Sequence, residues 1–195
     1  MKKVFLVFVA VASAAIASAQ IQYGVKAGYN LANITQSGSS SEAVEAKSDF
    51  SAGVLVSIPL FSSCFLQPEV MYSGQGAQVS ALGQKDKLNL GYLNIPVLFK
   101  YQHVSGVFAE TGPQLGFLLS AKDKFDGTTT DIKDQFETTD FSWAFGLGYK
   151  FTSMGLGIDA RYNLGLTNLA KDSGDETIKN SVFQFGLFYM FGGKK

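Results

Sequence analysis

Phe141-Ser142-Trp143-Ala144-Phe145-Gly146-Leu147-Gly148-Tyr149-Lys150-Phe151 alternates without interruption: every odd position is apolar, and all but Leu147 are aromatic. A period of two marks a strand with two unlike faces. The chemistry of the second face decides the fold. Gly146 and Gly148 weaken a strand, and a side turned to water has no use for them. A barrel interior just wide enough to be filled by side chains does. The aromatic face is therefore expected to point outward, into lipid.

Seven further stretches repeat the pattern. Ile21, Tyr23, Val25, Ala27, Tyr29 and Leu31 stand opposite Gln22, Gly24, Lys26, Gly28 and Asn30. Phe50, Ala52, Val54, Val56 and Ile58 face away from Ser51, Gly53 and Ser57. Leu66, Pro68, Val70 and Tyr72 oppose Gln67, Glu69 and Ser73. Leu93, Ile95, Val97, Phe99 and Tyr101 oppose Asn94, Pro96 and Lys100. Val107, Ala109, Thr111, Leu115, Phe117 and Leu119 oppose Glu110, Gly112, Gln114 and Gly116. Leu156, Ile158, Ala160, Tyr162, Leu164 and Leu166 oppose Gly157, Asp159, Arg161, Asn163 and Gly165. Phe183, Phe185, Leu187, Tyr189 and Phe191 oppose Gln184 and Gly186. Eight strands, an even number, suit a closed antiparallel barrel.

The connections alternate in length. Residues 34–48, 75–87, 122–138 and 168–180 are long and rich in Ser, Gly, Asp and Lys, whereas 60–64, 102–105 and 152–154 are short. Long loops at one end and tight turns at the other describe an up-and-down transmembrane barrel, with its loops outside the cell and its termini in the periplasm. Outward rings near the strand ends form two girdles: Tyr23, Tyr72, Tyr101, Phe151, Tyr189 and Phe191 at the turn end, and Tyr29, Phe50, Phe141 and Trp143 at the loop end. Pro68, Pro96 and Pro113 fall inside strands that have no free edge, and β-bulges are the expected accommodation.

The start of the chain is an address. Met1-Lys2-Lys3 precedes an apolar run, Val4 to Ala17, broken only by Ser13, and Ala17-Ser18-Ala19 supplies the small residues of a cleavage site. The run is too short for the ~20 residues of a spanning helix. Residues 1–19 are read as a signal peptide and 20–195 as one barrel domain. The 16 basic and 16 acidic residues balance, with no basic stripe to draw nucleic acid. A single Cys (Cys64) and a single His (His103) exclude a disulfide framework and any two-His metal motif.

Leu66-Gln67-Pro68-Glu69-Val70-Met71-Tyr72-Ser73, Tyr92-Leu93-Asn94-Ile95-Pro96-Val97-Leu98-Phe99-Lys100, Gly112-Pro113-Gln114-Leu115-Gly116 and Gly157-Ile158-Asp159-Ala160-Arg161-Tyr162-Asn163-Leu164-Gly165-Leu166 resemble hallmarks of the PorT-type outer-membrane β-barrel proteins of the Bacteroidetes. The resemblance spans the chain after residue 19 and includes the in-strand prolines. It implies an eight-stranded outer-membrane barrel, delivered by the barrel-assembly machinery, with some members linked to protein secretion. One departure is the tail, where Gly192-Gly193-Lys194-Lys195 follow the aromatic Phe191 that such machinery reads.

Catalytic chemistry is thin. His103 sits in a turn with no Ser–carboxylate partner in view, as nucleophilic catalysis requires. Cys64 has no basic neighbour in sequence to activate it. Asp123, Asp126, Asp131 and Asp134, and Asp172, Asp175 and Glu176, lack the spacing of a calcium loop. No catalytic, cofactor or metal residue is assigned, and the reading is non-enzymatic. Phe125 and Phe136 in the third connection either touch a partner or rest on the barrel rim.

The functional expectation rests on the inner face. Counted from the turn end, Lys26, Glu69, Glu110, Asp159 and Arg161 fall at nearly one depth, with Lys100 near the rim to complete the balance. If the turn at 152–154 sets the register, Arg161 faces Gly146 and Asp159 faces Gly148. Unpaired charges in so narrow a space are costly, so a mutually paired cluster that plugs the lumen is expected. Arg161 is expected to pair with Glu110 first and Glu69 second. The function that follows is a structural, interaction or secretion-accessory barrel, meeting surface partners through its loops. The alternative is a small-solute pore or a lipocalin-like small-ligand binder.

Overall fold

The computed structural model describes residues 21–37, 44–81, 84–125, 128–168 and 177–191. The segment read as a signal peptide, residues 192–195, Asp126, Asp172, Asp175 and Glu176 lie outside them. In chain order the strands are β1 (Gln22–Ser37), β2 (Val44–Phe61), β3 (Cys64–Ala81), β4 (Gln84–Gln102), β5 (Val107–Phe125), β6 (Thr128–Asp131), β7 (Thr139–Lys150), β8 (Leu156–Gly165) and β9 (Thr177–Phe191). Every seam between sequential wall strands is antiparallel, and β1–β9 closes an eight-stranded barrel. β6 is an extra strand hung on the loop-end part of β5. Among the described residues no helix is long and apolar enough to cross a membrane.

The alternation read from the sequence assigns the faces. Tyr23, Val54, Phe145, Ile158 and Leu187 lie exposed outside, Leu147 at 66%, while the polar partners on the same strands are buried. That is the reverse of a lipocalin-like barrel, whose apolar face is inside. The one outward Trp satisfies its own donor: Trp143 Nε1 gives a 2.8 Å bond to Thr111 Oγ1, which donates to the Ala144 carbonyl. A ring facing lipid needs such a partner, because no water is at hand.

The inner glycines make room. A β-carbon at Gly148 would run into the Phe108 ring, one at Gly157 into the Phe188 ring, and one at Gly146 would stand 2.8 Å from Glu110 Cγ. Arg161 faces Gly146 and Asp159 faces Gly148, the register that the short turn before β8 implies.

Three expectations are corrected. The connections read as long loops at 34–48, 75–87 and 122–138 are largely strand: β1 runs to Ser37, β2 resumes at Val44, and β3 and β4 continue to Ala81 and from Gln84. Their backbone pairing keeps the ladder going above the apolar band. Lys47, assigned to the first loop, lies in β2, with Nζ 2.7 Å from Asp49 Oδ2. Tyr72 belongs to the loop-end girdle, since it pairs with Ala52 and its ring centroid is 5.5 Å from that of Phe50.

The third correction concerns the prolines. Register shifts occur between Ala46 and Ser51, Pro59 and Phe61, and Gly91 and Tyr92, none of them at Pro68, Pro96 or Pro113. Pairing simply lapses beside each proline and resumes in unchanged register. On the β2–β3 seam it goes from Leu55↔Glu69 to Ile58↔Leu66, on β3–β4 from Pro68↔Val97 to Met71↔Asn94, and on β4–β5 from Pro96↔Gln114 to Phe99↔Thr111. Each missing N–H faces the preceding strand. Because Pro68 pairs with Val97, and Val97 stands in register with Pro113, the three gaps lie at one level.

Candidate functional site

Strand alternation aims Lys26 of β1, Glu69 of β3, Lys100 of β4, Glu110 of β5 and both Asp159 and Arg161 of β8 into the lumen. None is more than 6% exposed. Five of the six fall into two ion-paired groups. Arg161 gives Glu69 two bonds, Nη1 to Oε2 at 2.8 Å and Nη2 to Oε1 at 2.9 Å, and gives Glu110 Oε1 two more, from Nη2 at 2.6 Å and Nε at 3.0 Å. The planar guanidinium fork suits such bridging of two carboxylates. Lys26 Nζ stands apart, 2.6 Å from Asp159 Oδ2.

Lys100 meets no carboxylate at ion-pair distance. Its ammonium donates to Gln67 Oε1 at 3.2 Å and lies 3.6 Å from the centroid of Phe108 and 5.0 Å from that of Phe188. The two rings supply cation–π attraction in place of an anion. Gln67 is the joint that sequence reading missed: its amide donates to Glu69 Oε1 at 2.8 Å while its carbonyl accepts from Lys100. It sits two residues before Glu69, hence on the same face. Three cations and three carboxylates then balance at this level.

Below the charges, toward the turn end, Leu55, Phe108, Phe188 and Met190 form a buried apolar layer inside the barrel. Phe108 and Phe188 meet edge to face, their centroids 5.9 Å apart. Toward the loop end, amide and hydroxyl side chains link into a chain. Gln184 Nε2 donates to Asn30 Oδ1 and Ser51 Oγ, Asn30 Nδ2 to Ser73 Oγ, Gln75 Nε2 to Ser73 Oγ, and Asn180 Nδ2 to Gln75 Oε1. The section is thus layered: apolar, ionic, then amide.

The catalytic candidates stay apart. His103 lies exposed in a turn, Nδ1 2.9 Å from Ser105 Oγ. Cys64 begins β3, half-buried. Among the described residues no three His, Cys, Asp or Glu side chains gather as a metal site. Phe136 rests on the barrel, packed with Ile132 against Leu90, Tyr92, Leu118 and Ala121.

The family model for an outer membrane protein beta-barrel domain matches residues 13–171. No curated protein sequence matches the chain. Among solved structures, Neisserial surface protein A (NspA) superposes with a TM-score of 0.56 at 14% identity, over 87% of this chain and 97% of that one. The attachment invasion locus protein Ail of Yersinia pestis gives 0.49 at 15% identity, over 87% and 98%. OprG of Pseudomonas aeruginosa gives 0.47 at 14%, over 87% and 95%. At this identity the likeness to NspA speaks for the fold alone.

Proposed function

The chain belongs to the outer membrane protein beta-barrel domain family and is an integral outer-membrane protein, and from that premise we propose that it works as a sealed, non-enzymatic barrel whose loop end meets partners outside the cell. The observation that carries this reading is the stacking of the ionic layer on the apolar one. Arg161 ties β8 to both β3 and β5 through the lumen, and Leu55, Phe108, Phe188 and Met190 close the level beneath. A water path would have to pass a neutral ion-pair network and then a dry constriction, and each opposes ions. The bridging also ties distant walls together, which suits a scaffold.

The loop end is the working surface in this reading, with the turn around His103 in the periplasm. The stretches that resemble hallmarks of PorT-type barrels are the ground for a secretion-accessory role, in which the rim holds a secreted or surface polypeptide. Insertion is left to the barrel-assembly machinery. The test is sugar uptake by liposomes carrying the folded barrel. They should swell in isotonic arabinose no faster than empty liposomes, and porin-like swelling would discard the sealed reading.

A further inference from the structure

We propose that the loop end of the lumen contains a binding site for a small amphipathic molecule, an apolar body with one hydrogen-bonding atom, and that the third connection occupies this site as a displaceable lid. The proposal goes beyond the sealed-barrel reading and does not depend on it, because the site lies above the ionic layer.

The inner face changes character around the wall. On β1, β2, β3 and β9 its loop-end part carries Asn30, Ser51, Ser73, Gln75, Asn180 and Gln184. On β4 and β5 it carries Leu90, Tyr92, Leu118 and Ala121, all buried, with Leu88 beside them. An apolar patch inside an otherwise polar mouth must be covered. The cover is the segment between β6 and β7, a single 3-10 turn over Lys133–Gln135 flanked by Ile132 and Phe136. Its outward residues Lys133, Asp134 and Gln135 are exposed. At its two ends, Ile132 N donates to the Ala121 carbonyl and Leu118 N to the Thr138 carbonyl.

A second observation points to a ligand. The Tyr92 ring packs in this apolar cup, and its hydroxyl is fully buried with no hydrogen-bond partner. Its ring lies across Gly116, where a β-carbon would come 3.4 Å from Cδ1, so the ring has its space through that glycine. A buried hydroxyl left unpaired is unfavourable, and the lid side chains Ile132 and Phe136 have no polar atom to offer it. A molecule that replaces their apolar contacts and adds one donor or acceptor mends the defect. Its polar atom would meet Tyr92, and its body would lie along Leu90 and Leu118. Release of the lid is the cost of entry and scales apparent affinity down to the open fraction of its intrinsic value.

The probe is N-phenyl-1-naphthylamine, an apolar fluorophore with a single N–H, titrated into the full barrel in lipid nanodiscs. Phe136→Ser loosens the lid without touching the wall and should bind about tenfold more tightly than the unaltered protein. Ala121→Phe fills the cup and should abolish the saturable signal. Tyr92→Phe, added to Phe136→Ser, should weaken binding severalfold. Heat-modifiable migration on a gel verifies folding of each variant, and Leu90→Trp replaces Ala121→Phe if that one does not fold. Equal emission from all variants would mean partition into lipid and overturn the site. No gain from Phe136→Ser would overturn the lid, and full binding by the Tyr92→Phe double variant would overturn the polar contact.

Discussion

Arg161 of β8 and Glu69 of β3 meet head-on through two parallel N–H···O bonds of 2.8 and 2.9 Å, although three strands separate them whichever way round the wall is followed. They stand on opposite sides of the barrel, so one side-chain pair spans its diameter. With Arg161 fully engaged and Glu110 on its flank, removing a single member strands a buried charge. Arg161→Met or Glu69→Gln alone should cost about 3–5 kcal/mol, read as a lowered midpoint of urea unfolding in lipid. The double variant should lose clearly less than the sum. Strictly additive losses would mean the pair is not coupled.

Both faces of β7 should reject substitution, each for its own reason. Leu147 points into the apolar band, so Leu147→Arg should destabilise by about 2–4 kcal/mol. At the neighbouring inward position, Gly148→Leu should fail for lack of room, because even a β-carbon there meets Phe108. Tolerance of both changes in the same unfolding assay would reverse inside and outside.

Much of this was legible beforehand, for a physical reason. A barrel in lipid must keep its period of two on every wall strand, so the faces, the strand number and the register of Arg161 against Gly146 could be read from alternation and a short turn. The choice of partners could not. Arg161 and Glu69 are 92 residues apart, and which carboxylate across a lumen a long side chain reaches depends on strand stagger that no local pattern encodes. The apolar layer did leave a trace: Val107-Phe108-Ala109 and Leu187-Phe188-Tyr189 are three apolar residues in a row, so one must point inward. The strand extensions above the band were hidden because their alternation is weak, small apolar residues such as Ala46, Ala77 and Val79 standing among Ser, Gln, Lys and Asp.

The proline row should be the softest part of the wall. Three neighbouring seams lose pairing at one level, while β7–β8 pairs continuously from Ser142 to Lys150. In hydrogen exchange on the folded barrel, the amides opposite the prolines, those of Val56, Glu69 and Val97, should exchange well before those of Ala144 and Phe145. Uniform protection across both halves would show that the gaps carry no softness.

The orientation of the rim can be read on intact cells. Lys122 and Lys133 are exposed near the loop end, whereas Lys47 is buried in β2. Added trypsin should cut after Lys133 and spare both Lys47 and the turn around His103, as mapped by mass spectrometry of the fragments. Cleavage at Lys150, at the turn end, with Lys133 intact would place the turns outside.

The central claim is that the ionic and apolar layers together close the lumen. Single-channel recording of the folded barrel in a planar bilayer tests it most directly, with the unaltered protein beside a variant carrying Arg161→Ala, Phe108→Ala and Phe188→Ala. The unaltered barrel should stay silent over long recordings, and the triple variant, with both layers opened, should show discrete current steps. Steady openings from the unaltered barrel would contradict the plugged lumen.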